Sequence, residues 1–109
     1  MEDNYRMVFC TYPDEESPIA LSEEVIKKKL AACVNLIPQL TSIYSWENKI
    51  QKTKEVLLII KTTREAYLTL ETFLTKTHPY QCPEIIAVPI IQGLKGYLQW
   101  VNDTVSNTN

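Results

Sequence analysis

Apolar residues recur along this chain at two spacings, one typical of strands and one typical of helices. A β-branched and aromatic run at 7–12 predicts a first strand, which Pro13 ends. Ser17 as N-cap and Pro18 at the first helical position predict the start of a helix. Its buried face is predicted to comprise Leu21, Val25, Ile26 and Leu30.

The middle of the chain predicts two long strands joined by a hairpin. The first covers residues 32–46 and is interrupted at Pro38, where we expect an edge position or a bulge. Asn48 tolerates a positive φ and predicts the turn. The second arm, residues 50–60, is polar up to Glu55 and apolar at every position after it.

A second helix, a fourth strand and a third helix follow. Thr63 is a candidate cap for the second helix, which ends at His78 because a proline follows. The last strand is predicted at 84–90, and Gly93 leads into the C-terminal helix. The apolar face of that helix is predicted to comprise Leu94, Tyr97, Leu98, Val101 and Val105.

The order strand, helix, strand, strand, helix, strand, helix predicts an α+β fold of the ferredoxin-like βαββαβ type with an extra C-terminal helix. We expect one domain, residues 1–109, with both principal helices on one face of an antiparallel sheet. Residues 56–60 and 85–91 are nevertheless apolar on both faces. The face of the sheet opposite to the helices must therefore be covered as well. Further copies of the chain are the simplest source, so we predict a homo-oligomer.

Charge and cysteine content limit the binding partners and the cellular compartment that we expect. A net charge of −2 and a pI near 5.4 disfavour nucleic acid and anionic membranes as partners. The strand 55–61 lacks the aromatic residues and the glycine of RNA-recognition domains. Cys10, Cys33 and Cys82 are widely spaced, which indicates free thiols. With no signal peptide or membrane-spanning segment visible, we predict a cytoplasmic protein.

Catalytic patterns are lacking as well. The single histidine has no nucleophile or acid partner at a recognisable spacing, and no glycine-rich phosphate loop occurs. The sequence therefore predicts a protein that is not an enzyme.

Five stretches, taken in order, resemble the CutA family of divalent-cation tolerance proteins. The likeness extends from Val8 to about Val101. The stretches are Leu30–Pro38, Ser42–Ile50, Glu55–Thr62, His78–Ile85 and Gly96–Trp100.

The resemblance implies a homotrimer similar to the PII signalling proteins, with the long hairpin reaching a neighbouring subunit. It also implies a role in tolerance to divalent cations, with weak binding of copper or another divalent ion and no established reaction. A PII-like signalling or adaptor trimer that binds a small ligand between subunits is the alternative. A very stable assembly with a role in protein association is a third possibility.

The resemblance also implies metal ligands. Cys10 matches the family's cysteine in the first strand, and His78 matches its histidine before Pro-Tyr. Thr77 stands where some members have a second histidine, and Asn48 stands where most have glycine. The alternative is that Cys10 is a core thiol and that His78 closes a helix.

A second candidate site is a cleft between subunits that would bind an anion or another small ligand. Its predicted residues are Tyr44, Trp46, Lys61, Tyr80, Glu84 and Trp100. Alternatively, Trp46 and Trp100 are interface anchors, and Lys61 forms an ion pair with Glu84.

Overall fold

A computed structural model describes residues 3–106 of the chain. The outer ends of the predicted domain, residues 1–2 and 107–109, lie outside this range. The elements are β1 (Tyr5–Tyr12), α1 (Glu16–Lys27), β2 (Cys33–Trp46), β3 (Lys49–Thr63), α2 (Tyr67–Thr77), β4 (Ile85–Pro89) and α3 (Lys95–Ser106). The predicted order of strands and helices is thereby confirmed.

The four strands form one antiparallel sheet in the order β2-β3-β1-β4. Each of the two βαβ units therefore has a strand of the other unit inserted between its own strands, which is the ferredoxin-like arrangement. The long β2–β3 hairpin extends beyond β1, because pairing between β1 and β3 stops at Tyr12 and Val56. We call residues 40–55 the hairpin arm.

Backbone geometry explains the turn and the break in β2. Glu47 and Asn48 have φ values of 51° and 65°, so both central residues of the two-residue turn are left-handed. The register between β2 and β3 shifts between Ile37 and Leu40, and Gln39 there has a φ of 62°. The predicted turn at Asn48 and the predicted bulge at Pro38 are both confirmed.

Two predicted helix caps are wrong. In α1, no side chain caps the helix from Glu15, and the Oδ1 of Asp14 instead accepts bonds from the N–H and the hydroxyl of Ser17, both 2.9 Å. Pro18 accordingly lies inside the helix. Thr63 is the last residue of β3, and its Oγ1 accepts a 3.2 Å bond from the N–H of Ala66, so it closes the turn before α2.

The main core lies between one face of the sheet and the helices α1 and α2. It contains Val8, Cys10, Tyr12, Leu21, Val25, Leu30, Ala31, Val56, Leu58, Ile60, Leu70 and Leu74. Helix α3 is held separately, where Val101 and Val105 pack against Ala32. Along β3 the even-numbered residues from 56 to 60 point into the main core and are buried, whereas the odd-numbered ones point to the other face and are only half-buried.

The opposite face of the sheet is apolar, as predicted, and the chain itself leaves much of it uncovered. Leu57 and Ile59 on β3 are half-buried, while Ile86 and Val88 on β4 are 54% and 38% exposed. We call these four residues the open face. No helix within residues 3–106 has both the length and the apolar character needed to cross a membrane.

Candidate functional site

His78 is the C-cap residue of α2, and both of its ring nitrogens are engaged. Its Nε2 lies 2.7 Å from the carbonyl oxygen of Thr11, and its Nδ1 accepts a 3.0 Å bond from the N–H of Tyr80. Because a carbonyl oxygen only accepts and an N–H only donates, these partners select the neutral ring with its proton on Nε2. A metal ion at His78 would have to displace one of them.

The surroundings of His78 favour the same neutral form. The ring packs against the phenol rings of Tyr12 and Tyr80, with centroid distances of 4.1 and 4.9 Å. Burial lowers the pKa of His78, and the bond to Thr11 and the charge of Glu55 oppose that shift only in part.

Cys10 lies in the core on β1, fully buried between Leu58 and Ile85 of the neighbouring strands. Burial raises the pKa of its thiol to about 12, and the charges of Glu84 and Glu55 act in the same direction. Metal ions bind the thiolate form. Cys10 is therefore a protonated core thiol at neutral pH.

The structure brings the two predicted metal ligands to the same end of β1, since His78 bonds to Thr11, the residue after Cys10. Across the part of the chain that the structure describes, no three His, Cys, Asp or Glu side chains are grouped to hold a metal ion. A closed zinc site usually has four ligands, so this pair would need donors from elsewhere.

Glu55 is a site residue that sequence reasoning missed. Its side chain is buried, its Oε1 accepts a 2.6 Å bond from the hydroxyl of Ser42, and its Oε2 accepts a 2.8 Å bond from the hydroxyl of Tyr80. Burial raises the pKa of Tyr80 to about 12, with further contributions from the bond to Glu55 and from its charge. The available signal was the position of Glu55, where the polar arm gives way to the apolar run.

Three of the six predicted cleft residues lie near this network. Tyr80 is part of it, and Tyr44 is close enough for its charge to act on the pKa of Tyr80. Glu84 lies close enough to act on the pKa of Cys10. Trp46 is at the far end of the hairpin arm, where it is 62% exposed.

Lys61 and Trp100 occupy a different region. Lys61 lies six positions beyond Glu55 on β3, which corresponds to about 20 Å along an extended strand. Its ammonium group donates to Asn35, and its cross-strand neighbour is Cys33. Burial raises the pKa of the Tyr97 phenol, and the nearby Cys33 side chain acts in the same direction. Trp100 packs against Tyr97 with ring centroids 5.6 Å apart.

One chain therefore does not assemble the predicted cleft, because its members fall into three places. Within residues 3–106 of one chain, Lys61 and Glu84 form no ion pair, and the ion pairs of that range are those of Asp3 with Arg6 and Arg64. Lys61 instead bonds to the neutral side chain of Asn35.

Comparison with known proteins identifies the family. The sequence profile described as CutA1 divalent ion tolerance protein matches residues 6–104. This chain belongs to the CutA1 family. The resemblance seen in the sequence is confirmed, and a role in divalent-cation tolerance is the function that the family description states.

Relatives named CutA align with most of this sequence. "Protein CutA" of Mus musculus is 46% identical over 103 residues, which cover 92% of this chain and 58% of that protein. The chain thus spans a little over half the length of its mammalian relatives. "Divalent-cation tolerance protein CutA" of Yersinia pestis (strain Pestoides F) is 43% identical over 99 residues, or 91% of this chain and 83% of that protein.

Solved CutA1 structures share the fold. The divalent cation tolerance protein of Thermus thermophilus superposes with a TM-score of 0.86 at 40% identity, covering 89% of this chain and 94% of that one. CutA1 of Oryza sativa superposes with a TM-score of 0.90 at 40% identity, covering 93% of each chain. The predicted ferredoxin-like fold is thereby confirmed.

Proposed function

We propose that this protein is a non-catalytic homotrimer of the cytoplasm that takes part in divalent-cation tolerance by weakly binding copper or another divalent ion. Membership of the CutA1 family is the observation that carries the proposal. Its three cysteines are free, which suits a reducing compartment.

The open face supports assembly. Ile86 and Val88 expose apolar surface on the same face as the half-buried Leu57 and Ile59, with Phe9 of β1 between the two strands. Contiguous apolar surface of this kind marks an interaction site in a soluble protein. Further copies of the chain would cover it.

Assembly is tested by sedimentation at micromolar concentration. We expect three times the 12.6 kDa chain mass. Ile86→Lys places a charge on the open face and should reduce the mass towards that of one chain. Leu68→Lys makes the same kind of change at a residue of α2 that is 70% exposed, and should leave the mass unchanged. A wild-type monomer would contradict the proposal.

Cation binding is tested by calorimetric titration of the reduced trimer with copper and with zinc. Saturable binding that is lost in Cys10→Ser and in His78→Gln would support the proposed ligands. Cys82→Ser is the matched control, because it removes an exposed thiol away from the core. Affinity weaker than about millimolar, near −4 kcal/mol, would contradict the cation proposal.

Lys61 supports the alternative, a PII-like signalling or adaptor trimer with a ligand cleft between subunits. Its ammonium group bonds to the neutral side chain of Asn35. Its cross-strand neighbour Cys33 lies near Tyr97, which packs against Trp100. Such a setting would suit a small anion. A thermal-shift screen with phosphate and citrate should show stabilisation that Lys61→Met removes and Lys54→Met retains, since Lys54 bonds to the neutral Thr41.

A further inference from the structure

The hairpin arm leaves the body of the sheet at Glu55. On one side of this residue, Val56 is the first residue of β3, in chain order, that pairs with β1. On the other side, Glu55 itself pairs with Leu40, the first residue of β2 after the bulge. Beyond this point each strand of the arm has only the other as a neighbour, so interactions at the junction decide how the arm is oriented.

Glu55 connects the arm to a loop that is distant in sequence. Its Oε1 accepts the hydroxyl of Ser42, which is on the arm, and its Oε2 accepts the hydroxyl of Tyr80, which is in the 78–84 loop between α2 and β4. We call this chain of contacts, Ser42–Glu55–Tyr80, the Glu55 bridge. Its two bonds, of 2.6 and 2.8 Å, are short and involve a carboxylate, the kind of acceptor that forms strong hydrogen bonds.

The carboxylate depends on these two donors. Glu55 is the one Asp or Glu side chain among residues 3–106 that is buried, with 8% of its surface exposed. The ion pairs of the same range involve Asp3 and not Glu55. Burying a carboxylate costs free energy unless it is hydrogen-bonded. The Glu55 carboxylate therefore holds the hydroxyls of Ser42 and Tyr80 in place.

The loop end of the bridge is itself anchored. The N–H of Tyr80 donates to Nδ1 of His78, and the opposite nitrogen of that ring bonds to the carbonyl of Thr11 on β1. The phenol ring of Tyr80 also packs against the His78 ring. The contacts therefore run without interruption from β1, through the loop, to the arm.

We propose that the Glu55 bridge sets the direction in which the hairpin arm leaves the sheet, so that a displacement of the 78–84 loop is transmitted to the arm. The bridge lies within one chain. Its consequence for assembly rests on the proposed function, in which the arm reaches a neighbouring copy.

Hydrogen exchange of backbone amides, read by mass spectrometry on the full chain, tests the bridge. Tyr80→Phe removes one hydroxyl and should accelerate exchange in residues 40–55 about tenfold, while residues 56–62 in the sheet are unchanged. Unchanged exchange in the arm would overturn the proposal. Equal acceleration in both segments would also overturn it, because that result indicates general destabilisation.

Further variants distinguish the loss of the bridge's hydrogen bonds from the loss of side-chain volume. Glu55→Gln retains an acceptor and gains a donor that either hydroxyl can accept, so arm exchange should stay near that of wild type. Ser42→Ala combined with Tyr80→Phe should accelerate the arm less than the product of the two single effects, because each breaks the same chain of contacts. Independent, multiplicative effects would contradict the bridge.

Tyr67→Phe is the matched control. It removes a 3.0 Å bond between a tyrosine hydroxyl and Glu71 inside α2, and it should leave the arm unchanged. An accelerated arm in this variant would overturn the assignment to the Glu55 bridge. Sedimentation of the same samples keeps the two proposals apart: a wild-type monomer contradicts assembly, whereas the exchange pattern alone decides the bridge.

Discussion

The ring of His78 packs against the phenol ring of Tyr12, with centroids 4.1 Å apart and ring planes inclined by 32°. The two residues come from the end of α2 and the end of β1, and Tyr12 is almost completely buried. This contact places an ionisable ring against the core. It therefore makes the stability of the fold sensitive to pH.

Stability should decrease as the pH falls below about 6.5, the ordinary pKa of histidine. Burial lowers the pKa of His78 in the folded protein, so the unfolded chain takes up the proton first. The contribution of His78 is complete above the unfolded pKa and is lost as the pH falls through the folded one. Urea unfolding at pH 7.5 and 5.5 measures the difference.

The chain has one histidine, so substitution isolates this effect. His78→Gln should lower stability at pH 7.5 and flatten the dependence between pH 7.5 and 5.5. A variant that keeps the wild-type slope would show that His78 is not its source.

The three thiols should react in the order of their exposure. Cys82 is exposed, Cys33 is half-buried, and Cys10 is buried with its pKa raised to about 12. Because the thiolate is the nucleophile, iodoacetamide at pH 8 should modify Cys82 first and leave Cys10 intact until the chain is unfolded. Mass spectrometry of the peptides gives the order. Early modification of Cys10 in the folded protein would contradict its burial.

Two isoleucines of β3 should differ sharply in their contribution to stability. Ile60 is fully buried in the core, so Ile60→Ala should lower the free energy of unfolding by about 2–5 kcal/mol. Ile50 is 78% exposed on the arm. Ile50→Ala is the control and should change it by less than about 0.5 kcal/mol. Both are measured by denaturant unfolding, and equal losses would contradict the observed core.

The turn at Asn48 should accept glycine and reject a β-branched residue. Asn48 has a φ of 65°, which costs most residues about 1–2 kcal/mol. Asn48→Gly should therefore keep or slightly raise the free energy of unfolding, and Asn48→Val should lower it by about that amount. Lys49→Val, at the first residue of β3, is the control and should be tolerated. The same unfolding assay applies, and a tolerated Asn48→Val would contradict the left-handed turn.

Local patterns predicted the elements because each depends on residues close in sequence. The bulge follows from Pro38, the turn from Asn48, and the double apolar character of β3 from residues 56–60. The cap of α1 was misassigned for a related reason. Asp14 and Ser17 are both suitable acceptors near the helix start, and backbone geometry, which the sequence does not display, selected Asp14.

Fold and family follow from the order of residues alone, because hydrophobic periodicity and ordered motifs are visible in the sequence itself. The chemistry of the site depends on the folded chain. Glu55 and Tyr80 are 25 positions apart, and His78 and Thr11 are 67 apart. Whether a side chain bonds, is buried or changes its pKa depends on neighbours supplied by the crossing of strands, and periodicity carries no information about which distant residues meet.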